Sequence, residues 1–131
     1  MINIFNEIYT DLVNALTSYD PSIKTSSVYT NMPTSYPFVS LEEIDNSVYQ
    51  KGSDCKIERF AEVEYEANIY TQNTNKKSKA DGIANAVDTL MSSKGFTRVA
   101  RTILQDNNET TYRIVIRYYG VVSQDHIIYR R

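Results

Sequence analysis

Apolar and polar residues alternate without a break from Ala61 to Asn68. Ala61, Val63, Tyr65, Ala67 and Ile69 are interleaved with Glu62, Glu64, Glu66 and Asn68. A side-chain period of two sends the first set to one face of a strand and the second to the other. A strand is therefore expected over Arg59 to Thr71, with one face entering a core and the other carrying carboxylates towards water or a partner. Phe38 to Tyr49 reads the same way, with Val39 and Leu41 on one face and Ser40 and Glu42 on the other. The turn-like run Gln50-Lys51-Gly52-Ser53-Asp54 would join the two as a long antiparallel hairpin.

A second hairpin is expected from Phe96 to Leu104 and Thr111 to Val122, around the turn Asp106-Asn107-Asn108. In its second strand Tyr112, Ile114, Ile116 and Tyr118 share one face, and Arg113, Val115, Arg117 and Tyr119 the other. A short extended piece near Thr25 to Thr30 and a short strand at Ile127-Ile128-Tyr129 are minor additions. Asn31 to Pro37 is a loop marked by two prolines, and Thr71 to Lys76 is a polar one.

Two stretches switch to helical spacing. Ile4, Phe5, Ile8, Tyr9, Leu12, Val13 and Leu16 give an amphipathic helix over residues 2–18. Asn3 or Asn6 is the candidate cap, and Asp20-Pro21 ends the helix. Ala80, Ile83, Ala84, Val87, Leu90 and Met91 mark a second helix, with Asn75 or Ser78 as cap and Gly95 at its C-terminal stop. No repeat or linker interrupts the order, so residues 1–131 read as one domain. The expected fold is α+β, an antiparallel or mixed sheet of about four strands with two helices on one face, in the order α-β-β-α-β-β.

Hydrophobic residues at 41% and charged residues at 23% are ordinary for a soluble protein. A formal net charge of −2 argues against a general nucleic-acid binder, which carries a basic excess. Eleven tyrosines and no tryptophan suit half-buried surfaces and contacts, although an AT-rich coding sequence would enrich tyrosine too. Cys55 stands alone, so no intrachain disulfide is expected and a reducing compartment fits. The N-terminus lacks a basic signal-peptide start, and no apolar run reaches the ~20 residues that span a bilayer.

Chemistry is sparse. His126, the sole histidine, lies in the polar turn Ser123-Gln124-Asp125-His126, and nothing in the spacing brings Cys55 to it. Glu42, Glu43 and Asp45 cluster, as do Glu58, Glu62, Glu64 and Glu66. Paired carboxylates hold Mg²⁺ in nucleases, so Glu42, Glu43 and Glu64, with Lys56 nearby, define one alternative: a metal-dependent nuclease. A solvated or salt-bridged face explains the same acids, with Arg113 and Arg117 meeting them across the sheet or a subunit boundary. A tyrosine-lined ligand module is a further alternative. No glycine-rich phosphate loop occurs, and no cofactor or metal site is expected. The basic segment Asn73 to Lys79 reads as an exposed loop entering a helix, or as a phosphate contact.

Several runs together resemble one family across nearly the whole chain. They are Phe38-Val39-Ser40-Leu41-Glu42-Glu43-Ile44-Asp45-Asn46 after a tyrosine and a proline, Ala61 to Tyr70, Gly95-Phe96-Thr97-Arg98, Tyr112-Arg113-Ile114-Val115 and Ile127 to Arg131. In their order and spacing they are similar to the tail terminator, or tail completion, proteins of long non-contractile-tailed phages and prophages of Gram-positive hosts. The resemblance implies an α+β sandwich made in the host cytoplasm and placed in the virion at the head–tail junction. It implies a hexameric ring, formed in some members only on the tail, that caps the tail tube and offers a surface to the head connector or head-closure protein. DNA would pass through its lumen without sequence-specific contact, and no membrane or cofactor is involved. Glu62, Glu64 and Glu66 on one strand and Arg98, Arg101, Arg113 and Arg117 on others would then face neighbouring subunits with opposite charges. Another neck protein of the same junction is the alternative within this class.

Overall fold

The computed structural model describes residues 2–28, 36–48, 60–72, 75–105 and 111–129. The expected loop at Asn31 to Ser35, the turn Gln50 to Asp54, Cys55, Lys56, Glu58, Asn73, Thr74, the turn Asp106 to Asn108, Arg130 and Arg131 lie outside the described residues.

Helix α1 spans Phe5–Tyr19 and turns Ile8, Leu12 and Leu16 into the core. Asn3 serves its start, its Oδ1 accepting the Phe5 amide at 3.0 Å. At the other end Asp20 leaves the helix in extended backbone before Pro21, and its carboxylate accepts the Ser22 amide and hydroxyl. Helix α2 spans Lys76–Lys94 and buries Ala80, Ile83, Ala84, Val87 and Met91. Gly95 stops it with a φ of 106°. The Gly95 amide bonds back to Ser92 and that of Phe96 to Met91, closing the last turn in the manner of a Schellman motif. Lys94 in that turn pairs with Asp11 of α1 and ties the two helices together.

The sheet contains β1 (Lys24–Ser26), β2 (Phe38–Val48), β3 (Phe60–Gln72), β4 (Thr97–Gln105), β5 (Thr111–Ser123) and β6 (Ile128–Tyr129). Across the sheet the order is β1-β2-β3-β5-β4, with β6 paired to β5. The expected count of about four strands, in the order α-β-β-α-β-β, is thus corrected to six among the described residues, in the order α-β-β-β-α-β-β-β. The four long strands are those the alternation predicts. The two additions, β1 and β6, fall at the short extended piece near Thr25 and the short terminal strand expected as minor elements. β1 runs parallel to β2, so the sheet is mixed.

Strand β3 is central, antiparallel to β2 on one side and to β5 on the other. Both helices pack on its apolar face, where Ala61, Val63, Tyr65, Ala67 and Ile69 are at most 1% exposed. Tyr65 sits there between rings, 5.8 Å from Phe5 of α1 and 5.3 Å from Phe96. Leu41, Ile114, Ile116 and Tyr118 complete the core from the flanking strands. Truncating a residue such as Leu41 to alanine would cost about 2–5 kcal/mol, because the site cannot collapse around the gap.

Two bulges decide which charges share a face. The β2–β3 register shifts between Glu43 and Asp45, with the extra residue at Ile44. In an unbroken strand Asp45 would follow Glu43 onto the helix face; the bulge returns it to the outer face, opposite Glu64. The β4–β5 register shifts between Arg98 and Ala100. There the extra residue, Val99, brings both Arg98 and Arg101 to the helix face, opposite Tyr118 and Ile116.

Candidate functional site

The outer face of the sheet, away from the helices, has two halves. Along the C-terminal part of β3 it is closed. Asn68 and Tyr70 are fully buried, as is Ser40 on β2, and Val115 on β5 is 8% exposed. Arg113 closes this half by donating from Nε and Nη2 to Asn68 Oδ1, at 3.2 and 2.7 Å, while its guanidinium lies 5.2 Å from the centre of the Tyr70 ring. The Phe38 ring packs on Tyr70 from β2 at 6.1 Å.

The N-terminal half is acidic. Glu42 stands opposite Glu66, Asp45 opposite Glu64, and Glu62 opposite Ser47. On the other side of β3, Glu62, Glu64 and Glu66 face Val121, Tyr119 and Arg117. Glu66 is the best satisfied of the acids. It accepts from Asn68 Nδ2 at 3.3 Å and pairs with Arg117 at 3.4 Å, its side chain 13% exposed. Glu42 has no such cover. Burial, followed by the Glu66 carboxylate beside it, raises its pKa above the usual glutamate value. Among the described residues Glu42, Glu62 and Glu64 hold no ion pair.

Strand order therefore polarises the sheet across its width. β2 and β3 carry Glu42, Glu43, Asp45, Glu62, Glu64 and Glu66 with no Lys or Arg. β4 and β5 carry Arg98, Arg101, Arg113 and Arg117 with no Asp or Glu. Each arginine already has a partner in its own chain. Arg98 reaches Asp88 of α2 at 3.4 Å, and Arg101 reaches Asp81 at 2.9 Å. Of these arginines, Arg113 and Arg117 lie on the outward face, whereas Arg98 and Arg101 lie against α2. Asp88 also accepts the Tyr118 hydroxyl at 3.1 Å, so it links the core to this flank.

Comparison with solved structures finds the bacteriophage SPP1 gp17 protein. Its likeness is 18% in sequence, with a TM-score of 0.43 over 86% of this chain and 88% of that one. No protein-family model and no curated protein matches the chain.

The residues of the nuclease alternative do not converge. Glu42 and Glu64 share the outer face, but Glu43 turns to the helix side, opposite Tyr65, where its Oε1 accepts from Asn46 Nδ2 at 3.2 Å. Among the described residues no group of His, Cys, Asp or Glu is arranged to hold a metal ion. His126 sits in left-handed backbone at a φ of 62°, with Nδ1 2.8 Å from Glu7 Oε1, tying the last turn to α1. The ligand-module alternative relies on tyrosines lining a pocket. Tyr65, Tyr70 and Tyr118 are packed inside, and the open groove between α2 and β4 is lined by Asp81, Asn85, Arg98, Val99, Ala100 and Arg101.

Proposed function

We propose that this chain is a structural protein of a phage tail, similar to tail terminators. It caps the finished tail tube as a ring and offers a surface to the head connector. The observation that carries the reading is the polarised sheet, whose acidic outer half displays Glu42, Glu62 and Glu64 with no ion pair among the described residues. An uncompensated charged face of this kind is suited to being covered by a partner of opposite sign, which fixes register and partner choice. A contact using different patches on its two sides closes into a ring when its rotation closes. The chain-long resemblance to tail terminators supplies the setting, a head–tail junction with DNA passing through the lumen.

Within the expected interface, Glu62 and Glu64 are the acids offered outward. Glu66, with Arg113 and Arg117, holds the outer face in shape, and Arg98 and Arg101 hold β4 to α2. No catalytic step is assigned to these residues. Electron microscopy of tails assembled with and without the protein tests the reading. Overlong or ragged tails in its absence support termination. Tails of normal length that fail to join heads would instead place the chain among other neck proteins.

A further inference from the structure

Strand β4 forms one edge of the sheet. β5 covers one side of it, and no strand pairs with the other side among the described residues. From Thr97 to Leu104 every residue is exposed, whereas β3 buries alternate positions along its first half. Val99 is 59% exposed, Ile103 49% and Leu104 38%. A long, partly apolar edge is a template for a further strand, and folded proteins guard such edges with Lys, Pro or short length. β4 has nine residues, with neither Lys nor Pro among them. Its two arginines turn to Asp88 and Asp81 of α2. The bulge at Val99 affects only the start of the strand, which leaves residues 100–105 in unbroken register.

The opposite edge of the sheet is complementary. β1 pairs with residues 38–40 of β2, and residues 41–48 have no strand on that side among the described residues. That stretch carries Glu42, Glu43 and Asp45 and no Lys or Arg, whereas β4 carries Arg98 and Arg101 and no Asp or Glu. At about 3.3 Å per residue each edge runs for roughly 25–30 Å. The pairings β2–β3, β3–β5 and β5–β4 are all antiparallel, so β4 runs opposite to β2. Two copies set side by side in one orientation therefore bring β4 of one against β2 of the next as an antiparallel pair. A second β4 fits less well, because the arginines of both copies would then share one seam.

We infer that the free edge of β4 in one copy adds antiparallel to residues 41–48 of β2 in the next, so that the sheet continues from copy to copy. The two edges differ, so the contact is head-to-tail, and a rotation that closes leaves neither edge open. The inference rests on the ring reading above and names the seam that would build the ring.

Photo-crosslinking of the full chain tests it. A photoreactive phenylalanine analogue replaces Ile103, and a mixture of isotope-labelled and unlabelled protein distinguishes links between copies from links within one. The expected product joins position 103 of one copy to residues 41–48 of another. Thr102→Glu with Leu104→Glu, or Glu42→Lys with Asp45→Lys, sets like charges across the seam on the outer face. Either pair should weaken self-association by about tenfold, as read by sedimentation. All four positions are exposed or half-buried, and circular dichroism checks that each variant folds. Mixing the two variants, or placing all four substitutions in one chain, should restore association to within about threefold, because the charges again match. Absence of links between copies overturns the inference, as do links from β4 to a second β4, variants that associate normally or a mixture that fails to recover. The ring reading fails separately: normal tails made without the protein would remove the tail role and leave these links in place.

Discussion

Arg117 stands directly opposite Glu66 in the β3–β5 ladder, and its Nε lies 3.4 Å from Glu66 Oε2. It is the one ion pair on the described outer face that joins the acidic and the basic flanks of the sheet. Its arginine is 52% exposed, so solvent screens the pair. Arg117→Ala should therefore cost less than about 1 kcal/mol of stability. Chemical denaturation checks this, and a loss of several kcal/mol would show that the pair holds the fold.

Two buried tyrosines should respond in opposite ways to loss of the hydroxyl. Tyr65 Oη is buried without a hydrogen-bond partner among the described residues, whereas Tyr118 donates to Asp88. Tyr65→Phe removes an unsatisfied polar atom and should be neutral or stabilising. Tyr118→Phe breaks a bond to a charged acceptor and should cost about 1.5–3 kcal/mol. Denaturant midpoints of the two variants, measured side by side, decide the matter.

The same tyrosines set behaviour in alkali. Burial, and then nearby carboxylates, raises both phenol pKa values above the usual 10. A raised folded value means that the contribution to stability is complete below the unfolded pKa. It is lost as pH climbs from there towards the folded value. Stability should fall above pH 10, and less steeply in Tyr118→Phe than in the parent chain. Equal slopes would contradict this.

Glu42 and Glu43 make the acid-side prediction. Burial raises both values, helped at Glu42 by Glu66; at Glu43 the Asn46 hydrogen bond opposes the shift and Asp45 adds to it. Folding favours their protonated forms, so their contribution is full below the unfolded value near 4.5 and is lost as pH rises through the folded values. The doubly substituted Glu42→Gln, Glu43→Gln protein should gain on the parent chain between pH 4 and pH 7. A melting-temperature difference that stays constant over that window would contradict the prediction.

Gly120 is a packing requirement. It lies in β5 opposite Val63, and a Cβ placed there would come within 2.8 Å of Phe96 Cδ1. Gly120→Ala should destabilise by about 1–3 kcal/mol through overpacking. A thermal melt unchanged from the parent chain would show that Phe96 yields freely.

Much of this architecture was legible because burial follows period. The apolar set on β3, from Ala61 to Ile69, and that on β5, from Ile114 to Tyr118, are buried as the alternation requires. Helix ends were legible from Asn3, Pro21 and Gly95, whose local chemistry acts over one turn. The bulges left no trace, since one extra residue at Ile44 or Val99 alters phase without altering composition. The bulge at Val99 is why Arg98 and Arg101, three residues apart and on opposite faces in an unbroken strand, both meet α2. That Arg117 meets a glutamate across the sheet was one of the expected outcomes, but which glutamate it meets was hidden. The choice depends on β3 lying beside β5, which are separated in sequence by α2 and β4. The closure of the outer face around Asn68 follows from the same adjacency.

The role proposed for the acidic face is tested most directly by tail length. Tails assembled in a deletion background, imaged by electron microscopy, should run long or end raggedly, and purified protein added back should appear as a ring at the head-proximal end. Tails of normal length that join heads and infect fully without the protein would contradict it.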